Sequence, residues 1–278
     1  MLELPESTTI AKQLTETVCG KKMIRVIAAH SPHRFAFFFG DPASYPLLLT
    51  GLTIKKAAAY GGLVELELSD NMRLVLGDGV GIRYFPSGTK TPAKHQLLLQ
   101  LDDGSTLTCT VQMYGGLWAF HAGENDNFYY LVAKEKPSPL SPEFTPAYFE
   151  HLLTETPKQS LSAKAFLATQ QRIPGLGNGV LQDILFEAGI HPKTKLTSLR
   201  SGQLDDLYQS VTGVLSKMTN DGGRNTEKDL FGQSGSYPCR LSKNTWHLPC
   251  PRCGGTVMRQ AYLGGTVYFC SVCQPPVQ

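Results

Sequence analysis

The stretch Leu167-Ala-Thr-Gln-Gln-Arg-Ile-Pro-Gly-Leu-Gly-Asn-Gly-Val-Leu-Gln-Asp-Ile-Leu-Phe-Glu-Ala-Gly-Ile-His-Pro192 decides how the chain is read. Its periodicity predicts one helix over Ser162–Thr169 and a second over Asn178–Ala188, joined by a turn with glycines at 175, 177 and 179. Asn178 suits the N-cap of the second helix, and Gly189 suits its C-terminal stop. Val180, Leu181, Ile184 and Leu185 form that helix's apolar side. Glycines let a backbone approach a phosphate closely, and a helix N-terminus offers free N–H groups to it. Asn178 could donate its side-chain amide to the same oxygen. The same residues also suit an ordinary interhelical turn, so this motif does not settle the function alone.

Toward the C-terminus, further helices are predicted over Pro146–Leu153 and Gln203–Met218, and Gly222-Gly223 breaks the pattern. Cys250-Pro-Arg-Cys253 and Cys270-Ser-Val-Cys273 then form two knuckles separated by 16 residues. Paired knuckles at this spacing bring four thiolates to tetrahedral reach of one Zn²⁺, with Gly254-Gly255 and Gly264-Gly265 supplying the turns of a zinc ribbon. Four thiolates leave no open position for water, so the ion is expected to be structural. Cys19, Cys109 and Cys239 stand alone and read as small buried apolar residues.

Toward the N-terminus, Lys134–Pro142 carries three prolines and reads as a linker. Before it, from Lys22 to Ala133, short strands separated by turns predominate. Examples are Met23–Ala28, Arg34–Phe39, Leu63–Leu68, Arg73–Leu76, His95–Leu101 and Thr106–Gln112. Their spacing leaves no room for helical crossovers, which points to an antiparallel sandwich or barrel rather than a parallel sheet. The opening residues read as a helix with Pro5 in its first turn, Ile10, Leu14 and Val18 as its stripe and Gly20 as its stop. An α-amino group titrates near 7.7–8.0 and is a competent nucleophile, and a nearby carboxylate such as Glu3 can shuttle protons for it. On these residues alone, the acidic start of a helix is the simpler reading.

Composition sets the outer bounds. With 41% hydrophobic and 18% charged residues, the chain can build a core, which excludes a disordered tail or coiled coil. No window approaches the roughly 18 apolar residues of a membrane helix. Glu3 and Glu6 stand where a signal peptide carries cations, so a cytoplasmic location is expected. Residues 1–150 hold 13 Lys and Arg against 15 Asp and Glu, whereas residues 151–278 hold 13 against 8. The basic second half leans toward a polyanion.

Taken together, Glu3-Leu-Pro-Glu6, the β-rich first half, the Gly-Leu-Gly-Asn helix pair and the four-Cys ribbon resemble the formamidopyrimidine-DNA glycosylase / endonuclease VIII family along the whole chain. The resemblance implies an α+β fold: an N-terminal helix and antiparallel β-sandwich (1–133), a linker (134–142), a helix–two-turn–helix domain (143–227) and a zinc-ribbon finger (228–278). It implies a monomer that excises oxidised bases from double-stranded DNA and cleaves abasic sites through an imine on the N-terminal amine. The amine falls on Met1 or, after trimming, on Leu2, with Glu3 as the catalytic glutamate and Glu6 as a second acidic position. Lys164, the Gly177 backbone and Asn178 match phosphate-holding positions.

The chain departs from the family pattern at several points. Leu2 replaces the usual proline, and a retained Met1 would carry the amine up to about 3.5 Å further out. Ala58 stands where a phosphate-binding lysine is usual, and Gly265 where the ribbon has an arginine, for which Arg259 is a candidate replacement. Met113 and Tyr114 lie where the family inserts a wedge into the base stack, without its arginine. The alternative implied by these losses is a relative that binds damaged or bent DNA without excision. A ribbon protein unrelated to DNA is the plainest reading of the cysteines alone.

Overall fold

The computed structural model describes residues 2–155 and 161–276. Met1 lies outside the described residues. Helix α1 (Leu4–Val18) begins as read, with Pro5 in the first turn, where its missing N–H costs no hydrogen bond. Ile10, Leu14 and Val18 are buried, and Gly20 follows in the left-handed region at φ +87°. Strands β1 (Met23–Ala28), β2 (Ala36–Phe38), β3 (Ile54–Tyr60), β4 (Leu63–Leu68), β5 (Met72–Phe85), β6 (Leu97–Leu101) and β7 (Thr106–His121) follow, with the short helix α2 (Tyr45–Leu49) between β2 and β3. They form a seven-stranded sheet of order β1-β6-β7-β5-β4-β3. All pairings are antiparallel except that of β2, which runs parallel to β7.

Two segments read as short strands are parts of long ones. Arg73–Leu76 lies within β5, and Thr106–Gln112 lies within β7. Gly77-Asp78-Gly79, whose residue types suit a turn, forms a bulge rather than a strand end. Asp78 pairs with Gly115 and Val80 with Val111, so Gln112, Met113 and Tyr114 loop out opposite the single residue Gly79. A Cβ at Gly79 would lie 2.4 Å from the Tyr114 carbonyl oxygen, which explains the glycine. The two halves of the bent sheet, with α1, share one apolar core that runs from Leu2 through Leu66, Leu99 and Leu117.

Helix α3 (Phe128–Glu135) occupies a segment read partly as strand and partly as linker. Asn127 caps it through the amides of Tyr129 and Tyr130. It docks because Glu65, which alternation alone would leave in water, is buried in β4 and needs partners. Tyr130 Oη donates to it at 2.6 Å, and Lys134 Nζ does so at 3.1 Å.

The second half is helical: α4 (Pro146–Glu155), α5 (Ala163–Ala168), α6 (Leu181–Glu187) and α7 (Ser201–Asn220). Val180, Leu181, Ile184 and Leu185 are all fully buried, as their period predicts. Strands β8 (Val257–Tyr262) and β9 (Gly265–Cys270) form a separate hairpin. Two leucines interlock the bodies: Leu4 belongs to the helical core and Leu230 to the sheet core.

Candidate active site and nucleic-acid interface

The start of α1 is pinned from two sides. The Leu2 N–H donates to the Asp78 carbonyl at 2.7 Å, at the β5 bulge, and the Leu4 N–H donates to the Gly175 carbonyl at 2.9 Å, in the α5–α6 turn. Between these anchors, Glu3 turns its side chain into the protein and is 4% exposed. One carboxylate oxygen accepts the Gly179 N–H at 2.8 Å, and the other accepts the Val180 N–H at 2.7 Å. Glu3 thus caps α6, the role the sequence reading gave to Asn178. The cap residue Val180 makes no side-chain cap bond, and Asn178 is committed elsewhere. The reason is geometric: a buried carboxylate satisfies two orphan amides at once and gains from the positive end of the turn.

Arg224 completes the cluster. It is 3% exposed, and its Nε and Nη2 donate to the two oxygens of Glu6 at 2.9 and 2.8 Å. Its Nη1 lies 3.4 Å from Glu3 Oε2. Burial pushes the Glu3 carboxyl above the usual range, Arg224 pulls it down, and Glu6 and the two amides act more weakly. Burial pulls the guanidinium down, but Glu3 and Glu6, with a smaller push from Glu227, hold it well above its ordinary value.

Two of the turn glycines make room for this cluster. A Cβ at Gly177 would lie 2.6 Å from Glu3 Oε1, and one at Gly179 would overlap Arg224 Nη1 outright. Gly175 (φ +78°) instead abuts Gly61 and Gly62 of the β3–β4 turn.

The wedge candidates face this site. Met113 is 64% and Tyr114 41% exposed on their loop. The Tyr114 phenol is pushed up by burial and by the acids Asp78 and Glu3 facing it. A cavity of about 310 Å³ opens beside them, lined by Leu2, Glu6, Gly79, Met113, Thr226 and Lys243.

A second cluster joins the helices to the ribbon hairpin. Lys164 Nζ donates to the Tyr262 carbonyl at 2.6 Å, and Asn178 Nδ2 donates to the Thr266 carbonyl at 3.0 Å. Desolvation lowers the Lys164 ammonium from its usual range. Gln182 accepts the Tyr268 N–H and donates to the Thr266 carbonyl, stapling α6 to β9. Gly265 sits against both site residues: its Cβ would lie 3.1 Å from Asn178 Oδ1 and 3.3 Å from Lys164 Nζ. Lys193 adds a further cation, 5.1 Å from the Tyr262 ring centroid. Arg259 stacks over Trp246 instead, at 5.6 Å. Strand alternation puts it on the face opposite Tyr262.

In the ribbon, the four cysteine sulfurs lie within 4.8 Å of one another and could hold a metal ion. Gly255 and Cys273 donate their N–H groups to Cys253 and Cys270 sulfurs, both at 3.4 Å. Phe186 of α6, Val257 and Tyr268 pack beside them. Cys109 and Cys239 are buried as expected, and burial pushes the Cys109 thiol up to about 12. His30 stacks on His95 at 4.6 Å, while His33 accepts the Phe35 N–H. His191 packs against Phe269 at 4.3 Å and accepts the Lys193 N–H.

Comparison with known proteins now bears on this arrangement. The profile described as "Formamidopyrimidine-DNA glycosylase H2TH domain" matches residues 136–229. A formamidopyrimidine-DNA glycosylase of Rhizorhabdus wittichii is 30% identical over 284 residues, spanning 99% of this chain and 100% of that one. The chain belongs to the formamidopyrimidine-DNA glycosylase family. The Lactococcus lactis subsp. cremoris relative is 27% identical over 279 residues, with 99% of each chain covered. Among solved structures of the family, the Lactococcus lactis protein in complex with abasic-site DNA has a TM-score of 0.81 at 25% identity, covering 98% of this chain and 99% of that one. The Thermus thermophilus protein gives 0.80 at 25%, covering 99% and 100%.

The reading of the sequence missed Arg224, Gln182 and the two capping amides. The signal for Arg224 was Gly222-Gly223 followed by a cation. Both glycines have positive φ and turn the chain back after α7. Among the described residues, the four cysteines, Glu3 with Glu6, and Lys164 with Asn178 are each brought together as grouped.

Proposed function

We propose that the chain is a DNA repair glycosylase with abasic-site lyase activity, acting as a monomer on double-stranded DNA that carries oxidised bases or abasic sites. The observation that carries the reading is the Glu3 carboxylate, fixed by two amides beside a Leu2 nitrogen that is itself held at 2.7 Å from the Asp78 carbonyl. Leu2, trimmed of Met1, is the nucleophile in this reading. Its free amine attacks C1′ of the deoxyribose, the C1′–base bond breaks, and a proton goes to the departing base. The amine's second proton passes to the ring oxygen as the C1′–O4′ bond breaks, which leaves an imine on an opened sugar. Glu3 carries that proton to the ring oxygen and then takes the C2′ proton in the elimination that breaks the C3′–O bond and releases the 3′ phosphate. A carboxyl that burial raises above its usual range, and that Arg224 draws back, suits both giving and taking a proton.

The target nucleotide is flipped out of the stack to reach the amine. The cavity beside Leu2 is at the low end of ligand-pocket volumes and supports housing the flipped base. Met113, exposed at the rim of that cavity, and Tyr114, exposed with its phenol toward Glu3, support filling the vacated space. Lys164, Lys193, Asn178 and the Gly177 backbone support gripping phosphate; Arg259, on the other face of the hairpin, is assigned at most an outer contact.

Zn²⁺ is the proposed occupant of the ribbon. An ion with Zn–S bonds of about 2.3 Å needs sulfurs about 3.8 Å apart. Cys250 and Cys273 are 3.9 Å apart, and Cys253 and Cys270 are 3.5 Å apart. Its contribution is to hold the hairpin against α6. A division into sheet, helical and ribbon domains is supported by separate apolar clusters, but α3 runs across the expected boundary at 133, and beyond 227 Leu230 joins the sheet cluster and Tyr237 and Cys239 the helical one. A DNA substrate supports a cytoplasmic, nucleoid-associated location. No helix among the described residues is long and apolar enough to cross a membrane.

The test is borohydride trapping on duplexes bearing an oxidised purine, an oxidised pyrimidine or an abasic site, with the intact mass of the mature N-terminus. A covalent adduct mapping to Leu2 supports the reading. An adduct at Met1 moves the nucleophile, and no adduct on any duplex overturns the reading.

A further inference from the structure

We infer that Arg224 is a positioning residue for the reaction: braced by Glu6, its guanidinium fixes the Glu3 carboxylate against the Gly179 and Val180 amides and supplies the cation that balances it. The inference rests on the proposed proton-carrying role of Glu3. It begins from how firmly Arg224 is built in. Its backbone N–H donates to Glu6 Oε1 at 3.1 Å, and its side chain returns to both oxygens of the same carboxylate. The strand-like bridge between Arg224 and Tyr237 holds the loop, with the Tyr237 N–H on the Gly223 carbonyl and the Asn225 N–H on the Tyr237 carbonyl. With its Nε and Nη2 edge occupied by Glu6, the guanidinium presents Nη1 to Glu3, 3.4 Å from Oε2.

Three chain segments meet at this one group: the start of α1, the turn before α6 and the loop after α7. Gly179 is the clearest mark of it, since any side chain there would occupy the guanidinium's place. Among the described residues, the charged and titratable groups that face Glu3 are Arg224, Glu6 from its own helix and Tyr114 from β7, with the Gly179 and Val180 amides on its oxygens. Of the side chains, only Arg224 favours the carboxylate form. Burial opposes that form, so without the cation Glu3 stays protonated to higher pH and is a poorer acceptor.

The experiment compares the parent with Arg224→Lys, Arg224→Met and the double variant Arg224→Met with Glu6→Gln, which removes the orphaned Glu6 charge and so guards against misfolding. Glu3 is titrated by carboxyl-¹³C NMR, assigned with Glu3→Gln. Single-turnover cleavage of an abasic duplex is followed across pH. Arg224→Met should raise the Glu3 midpoint by about one to three pH units, the range for an opposite charge at this distance, and the double variant should raise it by less, because Glu6, which also pushes Glu3 up, is gone. The acidic limb of the rate profile should move by the same amount, and Arg224→Lys should fall between. A folded Met variant with the parent's Glu3 midpoint overturns the inference. A parent that traps no imine overturns the proposed function instead, and the NMR midpoint still decides whether Arg224 governs Glu3.

Discussion

Replacing Gly177 with alanine is the sharpest probe of the site, because two readings of that glycine predict different losses. Gly177 does not lie in the left-handed region, so alanine can adopt its backbone and the effect is one of space. The new Cβ would lie 2.6 Å from Glu3 Oε1, where ordinary contact begins at 3.4 Å, so the carboxyl end must retreat by about 0.8 Å. Its oxygens cannot follow freely, because each is bonded to a backbone amide of the neighbouring turn. At about 100-fold per ångström of misplacement, the saturating cleavage rate should fall on the order of 40-fold. Weakening charge-assisted bonds should cost about 1–3 kcal/mol of stability, a melting shift of a few degrees.

The assay is single-turnover cleavage of an abasic duplex at saturating enzyme, with the dissociation constant for a tetrahydrofuran duplex measured in parallel. Gly213→Ala is the control: its Cβ meets nothing within 4 Å in the middle of α7, so it should gain about 0.5–1 kcal/mol and leave cleavage unchanged. If the missing side chain at Gly177 served only the backbone's approach to phosphate, affinity would fall while the saturating rate stayed at the parent's. That result, in a folded protein, refutes the argument that the glycine exists to house Glu3.

Three further outcomes are expected. Lys164→Met should weaken duplex binding for every sequence tested and reduce the slope of log affinity against log salt by about one, as read by fluorescence anisotropy; an unchanged slope removes Lys164 from the phosphate contacts. Cys253→Ser or a strong chelator should release one zinc per chain by elemental analysis, loosen the hairpin and weaken DNA binding, while the sheet core keeps its near-ultraviolet signature; a metal-free protein with full affinity contradicts this. Burial, with Lys193 nearby, lowers the His191 imidazole below its usual range, so the folded state prefers it neutral. Its contribution is complete above about pH 6.5 and is lost as pH falls toward the lowered folded value, at most about 1.4 kcal/mol per pH unit, so the melting temperature should drop less from pH 7.5 to 5.5 in His191→Asn than in the parent.

The sequence made legible what periodicity and local chemistry encode. The stripe of α1, the edges of β1 and β4, the buried side of α6 and the four-Cys spacing were all read within a residue or a few. Two kinds of feature escaped. The length of β5 and β7 was hidden because Gly77-Asp78-Gly79 carries turn residues, and a bulge inside a bent strand uses the same residues as a strand end. Helix α3 was hidden because its reason to dock, the buried Glu65, lies on another element. Arg224 escaped for the same reason on a larger scale, since its partner Glu6 is 218 residues away. Local pattern cannot announce a contact whose energy is realised only when distant segments meet.

The glycine-rich turn draws these threads together. From composition alone, Gly175-Leu-Gly-Asn-Gly179 resembles a cradle for an anion, and the anion it holds in the folded chain is an intramolecular one, the Glu3 carboxylate. Each glycine answers to a different neighbour: 175 to the β3–β4 turn, 177 to Glu3 and 179 to Arg224. Asn178, between the last two, points the other way and grips the ribbon hairpin at Thr266. Five consecutive residues therefore set both the place of the proton carrier and the attachment of the proposed DNA grip. Packed groups this close transmit displacement rather than absorb it. A substitution that loosens Asn178 from Thr266 should disturb the saturating cleavage rate as well as affinity, whereas Lys164→Met, one step removed from the turn, should change affinity alone. Equal rate effects from Asn178→Ala and Lys164→Met would show that the turn does not couple the two clusters.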